Sequence, residues 1–201
     1  MWFQGIDNSI SKWILENLHG NGFINEVLKF FTLTGEGGLI WILSYLALLI
    51  YVIVKEKKVP VLLLSGAVAL LLGWIINDFV LKQIIERQRP YLNTDVFGFG
   101  FKDFMDQLNY EYPTSFSFPS GHSFSSFNAA LFICLYKKKL GFITLPVAGI
   151  IAFSRIFLGA HYFSDVLVGS LLGCVFAISG YLIGNKILKS QKVSNSKHAT
   201  R

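Results

Sequence analysis

Long stretches without a charged side chain dominate this sequence and restrict what it can fold into. No Asp, Glu, Lys or Arg occurs in five stretches: 37–54, 59–77, 112–136, 140–154 and 166–185. A helix needs roughly 17–25 apolar residues to cross the hydrocarbon core of a bilayer. Charged residues make up only 15% of the chain, whereas a typical soluble domain has roughly 25%. These stretches therefore predict an integral-membrane protein built from helices.

We expect an all-α helical bundle with five transmembrane helices. Three of the stretches, 37–54, 59–77 and 166–185, are long enough to cross directly. A fourth helix is expected to begin near Pro119 within 112–136. The fifth comprises 140–154 and the apolar residues that follow Arg155 as far as Ala160. Charges interrupt the apolar pattern before residue 37, so two amphipathic helices, near 8–18 and 23–33, are expected to lie at the interface. The single domain then divides into an interfacial region at 1–36, a transmembrane core at 37–188 and a polar tail at 189–201. We expect the tail to be disordered.

The distribution of positive charge predicts the orientation in the membrane. Eleven of the 18 basic residues fall in three short segments, which are 55–58, 137–139 and the tail from Lys186. Cytoplasmic loops of membrane proteins are rich in Lys and Arg. Five alternating spans put these segments on one side, so we expect a multi-pass cell-membrane protein with a cytoplasmic C-terminus. The same clustering argues against nucleic acid as a partner, although the net charge is +6.

Other ionisable residues gather at the ends of the spans that lack these lysines. Such residues are costly at membrane depth and commonly mark function. They form four groups, KQIIERQRP at 82–90, PSGH at 119–122, SRIFLGAHYFSD at 154–165 and the single Asp78. In the expected topology the first three groups meet at the extracytoplasmic mouth of the bundle.

The first group indicates an anion-binding site. Lys82 and Arg89 are seven residues apart, so they would project from one face of a helix about 10 Å apart, and Pro90 would end that helix. A lysine at the end of a span can also simply extend to the interface. Arg155 on the same side favours a shared anion.

Three neighbouring charges have supporting roles in this interpretation. Asp78 precedes Lys82 by one helical turn, and it either holds the Lys82 ammonium or makes a buried polar contact between helices. Glu86 and Arg87 are expected to form ion pairs or to contact lipid headgroups.

PSGH predicts the start of a helix with free backbone N–H groups. Helix N-termini attract phosphate through these groups and the helix dipole, and Gly121 allows a ligand to approach the backbone closely. His122 could then donate a proton to a departing oxygen. A capped helix start without any ligand is the simpler interpretation of this tetrapeptide alone.

His161 and Asp165 are four residues apart, which brings side chains together on a helix. An aspartate beside a histidine fixes the ring tautomer and supports positive charge on it, and such a histidine can act as a nucleophile. A metal-ligand pair and a helix N-cap by Asp165 are the alternatives. The metal is the weaker alternative because cations outnumber carboxylates in this group of residues.

Three motifs, taken together, resemble the signature of the type 2 phosphatidic acid phosphatase (PAP2) family. They are Lys82-x6-Arg89-Pro90, Pro119-Ser120-Gly121-His122 and Ser154-Arg155-x5-His161-x3-Asp165, in the family's order. The resemblance implies a lipid phosphate or diphosphate phosphatase that needs no metal or other cofactor. The topology expected from the lysines would put its site at the outer membrane face.

The resemblance also implies a role for each matching residue. His161 would be the nucleophile that forms a phosphohistidine, and Asp165 would orient it. His122 would protonate the leaving oxygen and later activate water. The phosphate oxygens would be held by Lys82, Arg89, Arg155 and the backbone at Ser120 and Gly121.

The resemblance leaves the substrate open. Many relatives have six spans, which is the alternative to five here, and the five-span arrangement of prenyl diphosphatase-like relatives fits this chain better. Those relatives, however, often carry Asp where this chain has Gly121. Undecaprenyl diphosphate, phosphatidylglycerol phosphate and phosphatidate all remain candidate substrates, and membrane lipids are the expected partners, with no obligate protein partner evident.

Two other functions compete with a lipid phosphatase. Vanadium-dependent haloperoxidases build an anion site from similar motifs, but they are soluble and longer. A non-catalytic lipid transporter or scramblase could bind anionic headgroups at a charged mouth. Such a protein has no use for the pairing of His161 with Asp165.

Overall fold

The computed structural model describes residues 3–56 and 60–199, and these residues form helices and no strand. Four stretches are long and apolar enough to cross a membrane, namely Glu36–Lys55, Val61–Phe97, Lys138–Phe157 and Phe163–Ser194. The expected all-helical membrane bundle is therefore confirmed. The number of five spans is not, because the remaining candidate, Gly121–Tyr136, has 16 residues and falls just below the usual spanning length of roughly 17–25.

The helices follow one another with short connections. In chain order they are α1 (Gln4–Asn17), α2 (Gly22–Gly35), α3 (Leu39–Tyr51), α4 (Val61–Ile75), α5 (Lys82–Ile85), α6 (Thr94–Phe97), α7 (Gly100–Gln107), α8 (Gly121–Tyr136), α9 (Gly141–Phe157) and α10 (Phe163–Ala199). A π-helical turn, Ile76–Leu81, joins α4 to α5, so these two helices form one continuous rod.

Helix α8 lies at the centre of the bundle, where it contacts α3, α4, α9 and α10. Its side chains are buried on most faces, including the small Ala129 and Ala130. Two glycines of α10 let that helix approach closely, because a Cβ at Gly173 would lie 2.4 Å from the carbonyl oxygen of Phe124, and one at Gly169 would lie 2.5 Å from that of Ser120. Small residues thus bring α10 against the site-bearing helix.

The two ends of the bundle differ in charge. Helix α8 begins next to the PSGH motif and ends at Tyr136, about 24 Å away at 1.5 Å per residue. There the ammonium of Lys137 lies 3.7 Å from the ring centroid of Tyr51, at the end of α3. The basic segment 137–139 therefore lies beside the end of α3, at the opposite end of the helices from the ionisable motifs.

The N-terminal helices α1 and α2 cover the motif end of the bundle. His19, between them, donates a hydrogen bond of 2.8 Å from Nε2 to the carbonyl of Phe157 and stacks on Phe104 of α7. Lys29 of α2 donates to the carbonyl of Leu108. Helices exist at both predicted positions, and their location at the membrane interface stays a prediction.

The expected disorder of the tail after Leu188 is wrong for the described residues. Helix α10 continues without interruption to Ala199. Extending an existing helix adds one hydrogen bond for each residue ordered and needs no new nucleation. The Lys and Gln residues that follow Leu188 are also good helix formers.

Candidate active site

A cavity of about 600 Å³ opens at the motif end of the bundle. Six of the eight predicted site residues line it, namely Lys82, Arg89, Gly121, His122, Arg155 and His161. They come from α5, α8, α9 and two connecting segments, so residues far apart in sequence meet at one place. The other two, Ser120 and Asp165, are fully buried beside the cavity.

The cavity continues from these polar groups into an apolar limb between α3 and α4. Its walls there are Trp41, Ile42 and Tyr45 of α3 and Ala67, Leu70, Leu71 and Trp74 of α4. Ile42, Leu71 and Trp74 are 56%, 54% and 43% exposed. Side chains this exposed are not sealed inside the bundle, so the limb is open between the two helices.

Lys82 is held by a carboxylate one turn earlier. Its ammonium donates to Oδ1 of Asp78, and the side-chain amide of Asn77 donates to Oδ2 at 3.2 Å. Asp78 lies on the π-helical turn, and it lines the cavity itself. Of the two interpretations of Asp78, the contact with the Lys82 ammonium is confirmed.

Arg89 does not share a helix face with Lys82, which corrects the expected geometry. Helix α5 ends at Ile85, and Glu86 follows in the left-handed region at φ 48°. Arg89 itself is extended at φ −81° and ψ 153°, because the residue before a proline is disfavoured in the helical region. Both cations nevertheless line the same cavity.

The guanidinium of Arg89 is fixed by the surrounding backbone. It donates to the carbonyls of Ser115 at 2.6 Å, Ala160 at 2.7 Å and Phe116 at 3.1 Å. Its Nη1 also lies 3.1 Å from Nε2 of His161. A cation held in this way needs no rearrangement to meet an anion beside the His161 ring.

The two nitrogens of the His161 ring face different groups. Nε2 faces Arg89 and the cavity, whereas Nδ1 lies 3.5 Å from Oγ of Ser117 and 3.7 Å from Oδ2 of Asp165. The hydroxyl of Ser117 donates to that same carboxylate oxygen. The pairing of His161 with Asp165 is therefore looser than the spacing predicts, and Ser117 links the two side chains.

His161 lies in the turn between α9 and α10, outside the spanning stretches. Burial, together with the positive charges of Arg89 and Arg155, lowers the pKa of its imidazole well below the ordinary value. Each of these causes disfavours the protonated ring. The environment thus keeps the ring neutral, which is the state a nucleophilic histidine needs.

Asp165 belongs to a buried network of ion pairs that extends to Asp7 in α1. Its Oδ1 accepts a hydrogen bond of 2.6 Å from Arg87, whose other terminal nitrogen donates to Asp7 at 2.6 Å. The guanidinium also lies 4.0 Å above the ring of Tyr162. Of the two roles expected for Arg87, the structure shows the ion pair. Asp165 also caps α10, since its Oδ2 accepts from the backbone N–H of Tyr162 at 2.9 Å.

Ser120 has a different environment from the one expected. Its backbone N–H donates to the carbonyl of Asp165 at 3.0 Å, so this N–H is not free to hold a phosphate. Its hydroxyl accepts from the backbone and the side chain of Ser123, at 3.4 and 2.9 Å. Ser120 therefore caps α8 and joins it to α10, and Gly121 is the residue of this pair that lines the cavity.

Three polar side chains of the cavity keep unused hydrogen-bonding capacity. Arg155 donates through Nη1 to Thr32 at 2.5 Å and to Tyr110 at 2.6 Å. Within the part of the chain that the structure describes, its Nε, Nε2 of His122 and, in the limb, Oη of Tyr45 are buried and have no hydrogen-bond partner. Buried polar atoms are normally satisfied, so these two nitrogens indicate the location of a ligand.

Several residues of the site carried no signal in the sequence. Ser115 and Ser117 come from the loop before Pro119, Thr32 comes from α2, and Tyr110 follows α7. None belongs to a motif or to a periodic pattern, because each acquires its role only through long-range contacts. Across residues 3–56 and 60–199, no group of three His, Cys, Asp or Glu side chains is placed to hold a metal ion.

Comparison with known proteins assigns this chain to a family. The model of the PAP2 superfamily matches residues 60–189, and the chain belongs to that superfamily. A lipid A 4'-phosphatase of Bacteroides thetaiotaomicron is 28% identical over 173 residues, covering 83% of this chain and 74% of that protein. Phosphatidylglycerophosphatase B of Bacillus subtilis is 34% identical over 118 residues, which are 51% of this chain and 49% of that one.

Solved structures agree with this assignment. The crystal structure of a transmembrane PAP2 type phosphatidylglycerolphosphate phosphatase from Bacillus subtilis superimposes with a TM-score of 0.67 at 26% identity, covering 92% of this chain and 88% of that one. Aquifex aeolicus LpxE shares the fold, with a TM-score of 0.59 at 23% identity over 86% of this chain and 92% of its own. The chain is a multi-pass membrane phosphatase.

Proposed function

We propose that this phosphatase hydrolyses a lipid phosphate or diphosphate at the extracytoplasmic membrane face, through a phosphohistidine intermediate and without a metal ion. One observation carries the proposal. A single cavity combines three cations and two histidines with an apolar limb that opens between α3 and α4. A substrate with an anionic end and a long hydrocarbon tail matches both parts of this cavity.

The cations bind the phosphoryl group and stabilise its transition state. In phosphoryl transfer, charge spreads over the equatorial oxygens, and catalysis depends on positioning and electrostatic stabilisation. Lys82, Arg89 and Arg155 supply fixed positive charge, and the backbone at Gly121 allows close approach. These groups take the place that a divalent cation has in many phosphoryl-transfer enzymes.

The first chemical step transfers the phosphoryl group to the protein. The lone pair on Nε2 of His161 attacks phosphorus, and the bond between phosphorus and the leaving oxygen breaks. His122 donates its proton to that oxygen, so the lipid leaves as an alcohol or as a monophosphate. Asp165, acting with Ser117, favours positive charge on the phosphorylated ring.

The second step releases inorganic phosphate. His122, now neutral, takes a proton from a water molecule as that water attacks phosphorus. The bond between phosphorus and Nε2 breaks, His161 regains its lone pair, and His122 is protonated again. The cycle consumes one water molecule and needs no external oxidant, reductant or cofactor.

Orientation in the membrane follows from the charges at the two ends of the bundle. When α8 is counted as a crossing, the chain crosses five times, the lysine-rich ends face the cytoplasm, as does the C-terminus, and the cavity opens on the other side. A single cysteine at position 138 should therefore resist a membrane-impermeant thiol reagent in intact cells. Labelling of that cysteine from outside would contradict the proposed orientation.

The names of the relatives support a lipid substrate. They include lipid A phosphatases, a phosphatidylglycerophosphatase and a putative undecaprenyl-diphosphatase of Escherichia coli that is 33% identical over 86 residues. A hydrophobic tail attached to a phosphate is common to all of these substrates. The apolar limb of the cavity fits that shared feature.

The proposed function is tested on purified protein in detergent micelles. Wild-type protein should release phosphate from phosphatidate, phosphatidylglycerol phosphate or a prenyl diphosphate, and rapid quenching should trap a phosphoryl label that is stable to base and labile to acid. His161→Asn should lose both signals, whereas His19→Asn, outside the cavity, should keep them. Full turnover by a folded His161→Asn protein would overturn the nucleophile and favour a headgroup-binding transporter.

A further inference from the structure

Asp78 is an unusual lining residue for a cavity that binds phosphate. Of the described residues that line the cavity, four are charged, and these are Lys82, Arg89, Arg155 and Asp78. Among these described residues Asp78 is the single carboxylate beside three cations, and the proposed first step adds a further positive charge on protonated His122.

Asp78 lies on the side of the cavity where the leaving group must be. It lies one turn before Lys82 on the continuous rod of α4 and α5. The lining residue one turn before Asp78 is Trp74, which belongs to the apolar limb. The carboxylate is thus positioned between the cations and the part of the cavity that accepts the lipid tail. The group next to Asp78 in a bound substrate is whatever connects the reacting phosphorus to that tail.

The carboxylate is held firmly in this position. One oxygen accepts from Lys82 and the other from Asn77. A Cβ at Gly121 would lie 3.0 and 3.2 Å from the two oxygens, so Asp78 packs directly against the residue that precedes His122. Asp78 therefore lies beside the start of α8, the helix that carries the proposed proton donor His122.

We propose that Asp78 makes this enzyme selective for lipid phosphate monoesters over lipid diphosphates. The proposal rests on the proposed function and names its substrate class. In a monoester the group beside Asp78 is an uncharged ester carbon. In a diphosphate it is the inner phosphate, whose negative charge Asp78 repels at short range. Like-charge juxtaposition is a common way to exclude a wrong partner.

A matched pair of substrates isolates this effect. Farnesyl monophosphate and farnesyl diphosphate have the same tail and differ only in the group beside Asp78, and both release inorganic phosphate. Wild-type protein should favour the monophosphate in kcat/KM, although phosphate is the better leaving group. Asp78→Asn should shift the ratio of the two kcat/KM values toward the diphosphate by about tenfold, the size of a change of roughly 1.4 kcal/mol.

A control variant removes a carboxylate elsewhere. Asp103 is exposed on α7, on the same side of the bundle, and Asp103→Asn should leave the ratio unchanged. An unchanged ratio in Asp78→Asn, with both substrates still hydrolysed, would overturn the selectivity and leave the phosphatase function intact. Hydrolysis of neither substrate by wild-type protein would overturn the phosphatase function and the selectivity with it.

A second measurement needs no variant and therefore does not depend on the folding of Asp78→Asn. Inorganic phosphate and pyrophosphate are compared as competitive inhibitors of the wild-type protein. Pyrophosphate should bind no more tightly than phosphate despite its larger charge, because its second phosphoryl group meets Asp78. Pyrophosphate binding about tenfold tighter, as expected of an uncompensated cluster of cations, would contradict the proposal.

Discussion

Arg87 and Asp165 are joined by a hydrogen bond of 2.6 Å between Nη1 and Oδ1, and both side chains are almost fully buried. The same guanidinium binds Asp7, so one cation serves two carboxylates from opposite ends of the sequence. Arg87 does not belong to the lining of the cavity. In the proposed mechanism its contribution to catalysis would pass through Asp165, and Arg87 would be a positioning residue.

Replacement of Arg87 tests this relationship. Arg87→Gln should lower kcat about 10–100-fold, the range seen when partners that orient catalytic ligands are removed. The KM should change little, because Arg87 does not contact the phosphate. Arg87→Lys should recover part of the loss, since an ammonium can still neutralise one carboxylate. An increase in KM with kcat unchanged would instead indicate that Arg87 binds substrate.

His122 as the proton donor predicts a dependence on the leaving group. His122→Ala should lower the rate with a lipid phosphate by about 10²–10⁴-fold, which is the usual contribution of a general acid. With an aryl phosphate such as p-nitrophenyl phosphate the first step needs no proton donor, so phosphohistidine should accumulate and can be trapped by quenching. Equal losses on both substrates, without accumulation, would contradict this role.

The lowered pKa of His161 predicts a neutral ring in mildly acidic solution. Because the pKa in the folded protein is below the ordinary value of about 6.5, the ring stays neutral as the pH falls through that value and is protonated only in more acidic solution. Nitrogen NMR of histidine-labelled protein, assigned with His161→Asn, should show this. Arg89→Gln removes one neighbouring charge and should move the titration to higher pH. A wild-type midpoint at or above about 6.5 would contradict the prediction.

Independence from metal ions predicts that chelation has no effect. The lining cations repel a divalent ion, and the same groups already supply the positive charge that such an ion would bring. Phosphate release should be unchanged after dialysis against EDTA and should not increase when magnesium or manganese is added. Loss of activity on dialysis, with recovery on adding a metal, would exclude the proposed mechanism.

Gly173 predicts a cost in stability that is separate from chemistry. A Cβ there would lie 2.4 Å from the Phe124 carbonyl oxygen, so α8 and α10 must move apart. Gly173→Ala should destabilise the protein by about 1–3 kcal/mol, as overpacking does. Gly149→Ala is the matched control, because no atom lies within 4 Å of its Cβ position. Equal melting temperatures for both variants in detergent would contradict the packing argument.

The sequence alone was sufficient to predict a helical membrane bundle and most of the residues that line the cavity. Charge-free stretches mark the long helices, because a bilayer excludes charge along the whole length of a span. Motif spacing identified Lys82, Arg89, His122, Arg155 and His161, all of which line one cavity. The match of family and fold to known PAP2 proteins also agrees with the resemblance of those motifs.

Tertiary contacts account for what the sequence did not predict. The Ser120 backbone N–H was expected to be free, but it bonds to Asp165 on another helix. Ser117 was not recognised as the link between His161 and Asp165, since its role depends on a loop whose path has no periodic signal. The position of Arg89 was inferred from an ideal helix, whereas the chain leaves the helix at Glu86. Local patterns describe helices well, but they do not describe how loops fold over a site.

The lateral opening between Ile42 and Leu71 has a consequence for kinetics. A substrate that enters through it arrives by two-dimensional diffusion within one leaflet and never crosses water. The rate then saturates with the mole fraction of substrate in the leaflet. The bulk concentration of substrate affects the rate only by changing that mole fraction. Dilution of the leaflet with inert lipid should therefore slow this enzyme even when the total amounts of enzyme and substrate stay the same.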